Sequence, residues 1–552
     1  MSKLKDGILL PDFYVPLLGS ERPPSIDAKL LGPADAEETI RVTIVMRRRT
    51  DGPAFPDFDY FANTPPSKHK RLSQEEFAGK YGAHQDDINK VIEFAGKSNL
   101  KVIEIHAARR TVLLSGTIAQ MNSAFKVILS RFEHKTISLK GKQGKSEVEN
   151  YRGRDGFIHI PKDLTDIIIG VFGLDNRGIT KRNYAGDPQD TKLITVEQMA
   201  KLYHFPTNSA KGQAIGIVSE GGYHPADINS TFSGNPPKII PINVNATNDE
   251  SVDDIETTQD ICIAAAAAPG ADIIVYFTTD DQGGWVNMLN RVVHPEQGDP
   301  ECFVLSSSFY VLDSDDFSTL PPVSKNWIDT VNMLFQDAAM QKITICVSSG
   351  DKGTDSKIGD GRAHVQYPAT DPWVLSVGGT TVGNIKDDSF EEWVWNDVFK
   401  VDHTCATGGG ISGYFPKPSY QNKANVPPSL NDGHSGRGVP DVAGNASPNS
   451  GFPVILGGKP NVGCGTSASA PLWAGLITLI NAALGEPLGF INPHIYNFGS
   501  KAFRDITGAE GPKNNGLNKV PGYPAKPGWD ACTGWGSPNG VALLNEFKKL
   551  NG

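Results

Sequence analysis

The chain has 552 residues, 39% apolar and 21% charged, with 8 Trp and 25 Phe, which is enough for roughly two to four domains and excludes wholesale disorder. Its net charge of −10 is unevenly spread: the first 190 residues carry 29 Lys and Arg against 25 Asp and Glu, a net of +4, and the rest holds −14. An acidic large part argues against a nucleic-acid partner, and no apolar run approaches the ~20 residues of a membrane span. The opening MSKLKDGILLPDFYVPLLGS, broken by Pro11, Asp12 and Pro16, has no apolar run of signal-peptide length.

The Pro-, Gly- and acid-rich start, up to about residue 39, reads as an extended arm. RVTIVMRRR (41–49) reads as a strand, and LSQEEFAGKYG (72–82) and HQDDINKVIEFAGKSN (84–99) as amphipathic helices, the first opened by a capping box of Ser73 and Glu76. KVIEIHAARRTVLLSG (101–116) predicts two strands around a turn, and TIAQMNSAFKV (117–127) a helix. This alternation predicts an α+β unit of ferredoxin-like type. Residues 176–193, NRGITKRNYAGDPQDTKL, are polar, contain Lys181-Arg182, and predict an exposed, cleavable linker. The weakly basic first part and the acidic remainder would attract one another; ordinary compositional scatter accounts for the split equally well.

Beyond the linker, AIGIVSEGG (214–222), ADIIVYFTT (271–279), CFVLSSSF (302–309), ITICVSSGD (343–351) and WVLSVGGTT (373–381) are short, continuous apolar runs separated by helical segments. Strands without alternation, spaced by helices, predict a doubly wound, mostly parallel α/β sheet covered on both faces, with active residues at the strands' carboxyl ends. All six cysteines lie in this part, without a CxxC pair or zinc spacing, and do not make a disulfide scaffold; Cys262, Cys302, Cys346 and Cys464 sit in apolar or small-residue runs, where a buried thiol is the commoner case.

Three polar clusters stand where chemistry is expected. In GCGTSASAPLWAGLITLINAAL (463–484), the glycine-flanked Ser467 opens an apolar helix whose N-terminus offers donors for an oxyanion; a plain helix cap explains it as well. In DDIETTQDICIAAAAAPGA (253–271), Glu256 and Asp260 share one helix face beside a run of alanines. Two acids there either share a proton at a buried face or form a solvated helix start. Asp351, in CVSSGDKGTDS (346–356), follows a strand and a glycine, and is either a cleft carboxyl or an ordinary turn residue. No histidine lies in a glycine-rich context suited to a base; His364 and His434 read as loop groups.

Together these segments resemble the sedolisin family of serine-carboxyl peptidases. The matching pieces are Glu256 and Asp260 ahead of APGA, SSGD at 348–351, ATGGGISGYFPKPSYQ at 406–421, SGRGVPDVAGNA at 435–446, GTSASAP at 465–471, FRDITGAEG at 503–511 and KPGWDACTGWGSPNG at 526–540. The resemblance implies a subtilisin-like catalytic domain over 194–552, an activation prodomain over 1–175 and a linker over 176–193 cut by the enzyme itself. It makes Ser467 the nucleophile, Glu256 the general base, Asp260 the group that orients Glu256, and Asp351 the oxyanion stabiliser. The residue types fit acid conditions: a histidine (reference pKa ~6.5) is protonated near pH 4, a glutamate (~4.3) is partly ionised, and an aspartic acid donates to an oxyanion only when protonated.

The resemblance also implies one structural Ca²⁺ near the C-terminus, held by the carboxylates of Asp505 and Asp530 and the carbonyls of Ile506, Lys526 and Gly528, an oxygen set that suits a hard cation. It implies protein or peptide substrates, the chain's own prodomain as intramolecular inhibitor, a monomer without nucleic-acid or membrane partners, and an extracellular destination. The chain departs from the family pattern in three places. Ser219, followed by Glu220, stands for a glutamate and Phe309 for a tryptophan in the network behind the base, and Gln366 stands for an aspartate. The lost Trp and Glu partners leave open a catalytically impaired binding module, and a second alternative is a Ser-His-Asp hydrolase with an unrecognised histidine.

Overall fold

The computed structural model describes residues 2–3, 9–25, 27–137, 146–182, 193–251, 254–313, 323–398 and 404–552, so residues 183–192 of the expected linker lie outside the described residues. The N-terminal unit is built on β1 (Thr39–Met46), α1 (Gln85–Lys97), β2 (Lys101–His106), β3 (Thr111–Thr117), α2 (Ile118–Phe125) and β4 (Ile168–Phe172). Its antiparallel sheet runs β4-β1-β3-β2, the ferredoxin-like arrangement. Alternation gives β1 two faces: Ile40, Val42, Ile44 and Met46 enter this unit's own core, while Val45 enters the core of the larger unit. α1 buries Ile88, Val91, Phe94 and Ala95 at helical spacing on that first core. Capping boxes start the helix Gln74–Tyr81 (Ser73 with Glu76) and α2 (Thr117 with Gln120).

The N-terminal arm is tied down rather than free. Tyr14–Pro16 pairs with His159–Pro161, and Lys29–Pro33 with Ser130–Ile137, which pairs in turn with Ser146–Gly153. The sequence reading holds no sign of this second sheet, because SRFEHKTI and SEVENYRG carry too little apolar surface for a strand pattern.

The chain leaves this unit through β5 (Lys181–Arg182) and builds β6 (Ala214–Ser219), β7 (Ile239–Asn243), α3 (Ile255–Ala267), β8 (Asp272–Phe277), α4 (Gln282–Val293), β9 (Val304–Ser307), β10 (Phe309–Asp313), α5 (Lys325–Met340), β11 (Thr344–Ser348), β12 (Val365–Tyr367), β13 (Leu375–Lys386), β14 (Ser389–Val394), β15 (Val442–Asn445) and α6 (Thr466–Leu484). The large sheet runs β7-β8-β6-β9-β11-β13-β14, parallel except for the β13–β14 pair, with β15 also parallel to β13. Chain order reverses between β6 and β9, so the carboxyl ends of those strands open a crevice. The apolar run CFVLSSSF spans β9 and the first residue of β10, with Ser308 at the break.

α6 carries no charged residue and is buried from Thr466 to Asn481. By length and mean hydropathy (1.4) it could cross a bilayer, but 83% of that window is buried in the core. Five of the six cysteines are buried.

α4 and α5 face the N-terminal sheet. Thr43 Oγ1 donates to Asn287 Oδ1 (3.0 Å), Arg48 and Arg110 pair with Asp337 (2.8 and 2.7 Å), Arg109 pairs with Glu296 (3.6 Å), and Arg71 with Glu301. Each of these ion pairs sets an N-terminal arginine against an acid of the larger unit, the direction in which the charge split would act.

Candidate active site

Asp254 caps α3: its Oδ1 accepts from Glu256 N (3.1 Å) and its Oδ2 from Thr257 Oγ1 (2.9 Å), which lies 2.9 Å from Ser219 Oγ at the end of β6. This pins the start of α3 over the crevice. Glu256 and Asp260 follow one turn apart and are 1% and 0% exposed, so the alternative of a solvated helix start does not hold. The alanine run has a packing cause as well: a Cβ on Gly475 of α6 would lie 2.4 Å from Ala267 Cβ, so small residues on both sides let α3 and α6 approach closely.

Burial, then the like charges of Glu256 and Asp254, push the Asp260 carboxyl well above its ordinary range, and Ser308 Oγ, donating to Oδ2 at 2.9 Å, offsets part of this. The same Ser308 Oγ lies 3.5 Å from the carbonyl oxygen of Ser467, tying Asp260 to the start of α6. Gln259, between the two acids, donates from Nε2 to Glu256 Oε1 (3.2 Å) and accepts at Oε1 from Cys464 N (3.1 Å).

Asp351 reaches α6 from the other side. Gly350 has φ +114°, and a Cβ there would lie 2.6 Å from Gln366 Oε1, so only glycine makes this turn. Asp351 Oδ1 accepts from Thr466 N and Thr466 Oγ1, both at 2.8 Å, and Gly350 N donates to Thr466 Oγ1 (3.0 Å). Gly465 (φ +86°) leaves room for this carboxyl, since a Cβ there would meet Asp351 Oδ2 at 2.4 Å. Burial raises the Asp351 carboxyl above its usual range; the bonds from Thr466 and the charges of Lys352 and Lys357 pull it back in part.

The structure thus brings Ser467, Glu256, Asp260 and Asp351 to one place, at the N-terminus of α6 and the carboxyl ends of β6, β9 and β11. Ser467 Oγ, Asp351 Oδ2 and Asp260 Oδ1 are buried and make no hydrogen bond among the described residues. β5 runs antiparallel beside this point, Lys181 opposite Tyr310 and Arg182 opposite Phe309, immediately after Ser308. Of the departures, Ser219 and Phe309 are fully buried, and Glu220 accepts from Trp285 Nε1 (2.7 Å) and Thr180 Oγ1 (2.6 Å). His364 and His434 pair with Asp360 and Asp432 on loops.

Sequence reading passed over Ser308 and Gln259 and saw in Thr466 no more than a helix cap. Ser308 shows only as a polar side chain in an otherwise apolar run and Gln259 as one of several polar residues at a helix start, signals that a core hydroxyl or a solvated amide gives equally often.

The C-terminal group also assembles. Asp505 Oδ2 accepts from Gly528 N (2.8 Å), and Asp530 Oδ2 from Lys526 N (3.0 Å), while Asp530 Oδ1 takes Cys532 N and Thr533 N (3.0 and 2.8 Å). Asp505 Oδ1 is buried without a hydrogen bond among the described residues, and burial raises both carboxyls, Asp530 to about 6. Two carboxyls on adjoining loops suit an oxygen-seeking cation by their chemistry, and among the described residues no three His, Cys, Asp or Glu side chains cluster to hold a metal.

A large parallel sheet with a serine at the start of its central helix and buried carboxyls around it is that of a serine peptidase of subtilisin-like fold, here joined to an N-terminal unit of ferredoxin-like type. Residues 27–177 match the pro-kumamolisin activation domain and residues 242–494 the subtilase family. Kumamolisin of a Bacillus species is 35% identical across 96% of this chain and 95% of its own. Tripeptidyl-peptidase sed5 of Aspergillus fumigatus is 32% identical across 89% and 90%. The solved structure of Pseudomonas sedolisin, a serine-carboxyl proteinase complexed with two molecules of pseudo-iodotyrostatin, superposes with a TM-score of 0.56 at 25% identity, covering 65% of this chain and 99% of that one. The chain belongs to the sedolisin family of serine-carboxyl peptidases and carries that family's activation prodomain.

Proposed function

We propose that the protein is the self-processing zymogen of an acid-acting endopeptidase. Ser467 Oγ attacks the peptide carbonyl carbon while Glu256 takes its proton. Asp260, kept protonated by burial and by the neighbouring carboxylate, holds Glu256 in place. The oxyanion forms between the Asp351 O–H and the N-terminus of α6, and Glu256 then returns the proton to the leaving amine. A water molecule repeats the sequence on the acyl-enzyme. The observation that carries this reading is the trio Ser467 Oγ, Asp351 Oδ2 and Asp260 Oδ1, three buried polar atoms without hydrogen bonds among the described residues around one crevice.

The pairing of β5 with β10 supports inhibition in cis, because the chain leaving the prodomain lies on the strand edge a substrate would use. The domain limits 1–175, 176–193 and 194–552 belong to this reading, as do a monomer and an extracellular site of action. So does one structural Ca²⁺ at Asp505, Ile506, Lys526, Gly528 and Asp530, where Asp505 Oδ1 is the oxygen left to bind it; bound there, it would hold the two C-terminal loops together.

The acid trigger lies in interface histidines more than in carboxylates. Burial raises the Asp337 carboxyl, but Arg110, Arg48 and His294 more than offset it and leave it below its usual range, so mild acid does not discharge that pair. Four histidines lie on the same seam. Burial lowers His294 to about 3, with Arg110, His106 and Arg109 adding and Asp337 opposing; His69, also facing Lys342, His106, also facing Arg109, and His494 fall to about 4. His294 Nδ1 meets Gln74 Oε1 of the prodomain (2.9 Å), and its ring packs on Phe77. Released from the seam, a histidine returns to about 6.5. The docked state therefore binds fewer protons, and its stability, complete above about pH 6.5, is lost as pH falls towards 4.

The test is intact mass against time after transfer of the full chain to about pH 4, beside Ser467→Ala. Loss of the prodomain only from the unmutated chain is expected; equal cutting of both, or of neither, would count against the reading. The name of the Aspergillus relative favours a second reading, removal of N-terminal tripeptides. Cleavage of an N-acetylated peptide is expected for an endopeptidase, and its failure beside cutting of the free-amine peptide would favour the second reading.

A further inference from the structure

We infer that Gln259 is a positioning residue for the general base, holding the Glu256 carboxylate to the loop that leads into Ser467. The inference rests on the assignment of Glu256 as base. Cys464 N–H can only donate, and its bond to Gln259 Oε1 (3.1 Å) fixes which way the amide points. Nε2 must then face Glu256, whose Oε1 it reaches at 3.2 Å. Gln259 is buried, 4% exposed, and Gly463 closes over it: a Cβ there would lie 3.3 Å from Gln259 Oε1. The amide has little room to turn away. One side chain therefore joins α3, which carries the base, to the residue three positions before the nucleophile.

The chemistry of that bond favours the ionised base. An amide N–H donates to a carboxylate more strongly than to the neutral acid, so the contact favours the ionised form of Glu256. The ionisable neighbours on the helix and its cap are Asp260 and Asp254. α6 brings no charged side chain from Thr466 to Leu484, and β6 ends in Ser219, with Glu220 next, held by Trp285 and Thr180. The adjoining hairpin, strands Phe452–Leu456 and Lys459–Gly463, adds an exposed Lys459; the helices Val196–Leu202 and Pro225–Thr231, also packed on α3, carry Glu197, Lys201 and Asp227, and β8 begins with Asp272. Gln259 is thus a neutral donor to Glu256 set among acids.

The test is the pH profile of kcat/KM on a peptide for the mature enzyme and two variants. Gln259→Met keeps the volume and removes the donor; its acid limb is expected to move up by about one pH unit, with kcat about tenfold lower near the limb and KM unchanged. Gln259→Glu supplies the same C=O and O–H while protonated, so it is expected to keep activity in acid and lose it early on the alkaline side, which a purely structural role does not predict. An unmoved acid limb in Gln259→Met overturns the inference. Should that variant fail to fold, Gln259→Glu decides: early alkaline loss supports the inference and an unchanged profile overturns it. Glu256→Gln separates the two levels, since activity surviving in that variant removes the base assignment itself, whatever Gln259 does.

Discussion

Asp351 can serve an oxyanion only while it holds a proton, and its surroundings pull both ways: burial raises its carboxyl, while bonds from Thr466 and the charges of Lys352 and Lys357 lower it. Activity should therefore fall as pH rises through the Asp351 pKa. Lys352 Nζ is anchored on Thr404 O and Cys405 Sγ, both at 3.1 Å. Lys352→Met removes a positive charge beside the acid and is expected to shift the alkaline limb of kcat upward by about half a unit to one unit. An unmoved or lowered limb would show that some other group sets it. The residue types were readable from the sequence, because only carboxyls can exchange protons usefully in acid. That Asp351 leans on Thr466 was not, since 115 residues separate them and no local pattern records the contact.

The relation between α3 and α6 depends on a seam of small side chains. Gly475→Ala would put a Cβ 2.4 Å from Ala267 Cβ and drive the helices apart. Overpacking of this kind costs about 1–3 kcal/mol. Because the base rides on α3 and the nucleophile on α6, the loss in kcat is expected to exceed what the fall in Tm would imply; a variant with lowered Tm and full kcat would speak against this. Both helices were legible from their apolar and alanine-rich runs, and the parallel strands from continuous apolar stretches. The sheet of Lys29–Pro33, Ser130–Ile137 and Ser146–Gly153 was not, because highly charged strands give no two-residue apolar rhythm.

The two units meet across a seam whose ion pairs and histidines respond to pH differently. In full-length Ser467→Ala, hydrogen exchange of the helix Gln74–Tyr81 is expected to speed up cooperatively as pH drops from 7 towards 4. His294→Gln should reduce the proton uptake on undocking by about one and make the transition shallower. Asp337→Asn strands the buried Arg110 and the partly buried Arg48 and should weaken docking at every pH, leaving the steepness nearly unchanged. If His294→Gln leaves the steepness unchanged while Asp337→Asn flattens it, the carboxylates are the trigger instead. The opposite charges of the two parts were visible in the composition, but which histidines the seam buries was not, because His69, His106, His294 and His494 are scattered through the chain.

What the sequence determined by itself was the chemistry on offer: a serine at a helix start, two acids one turn apart, a third after a strand-ending glycine, and two units of opposite charge. The serine and the acids arise from neighbours within a few residues, where spacing and residue type are enough, and the charge split from composition alone. Only the tertiary structure decided that Glu256 and Asp260 are buried rather than solvated, that Ser308 and Gln259 tie the acids to the start of α6, and that Lys181–Arg182 lies along β10. Burial and long-range hydrogen bonds shift proton affinities and fix distances, and both exist only once segments far apart in the chain have packed together.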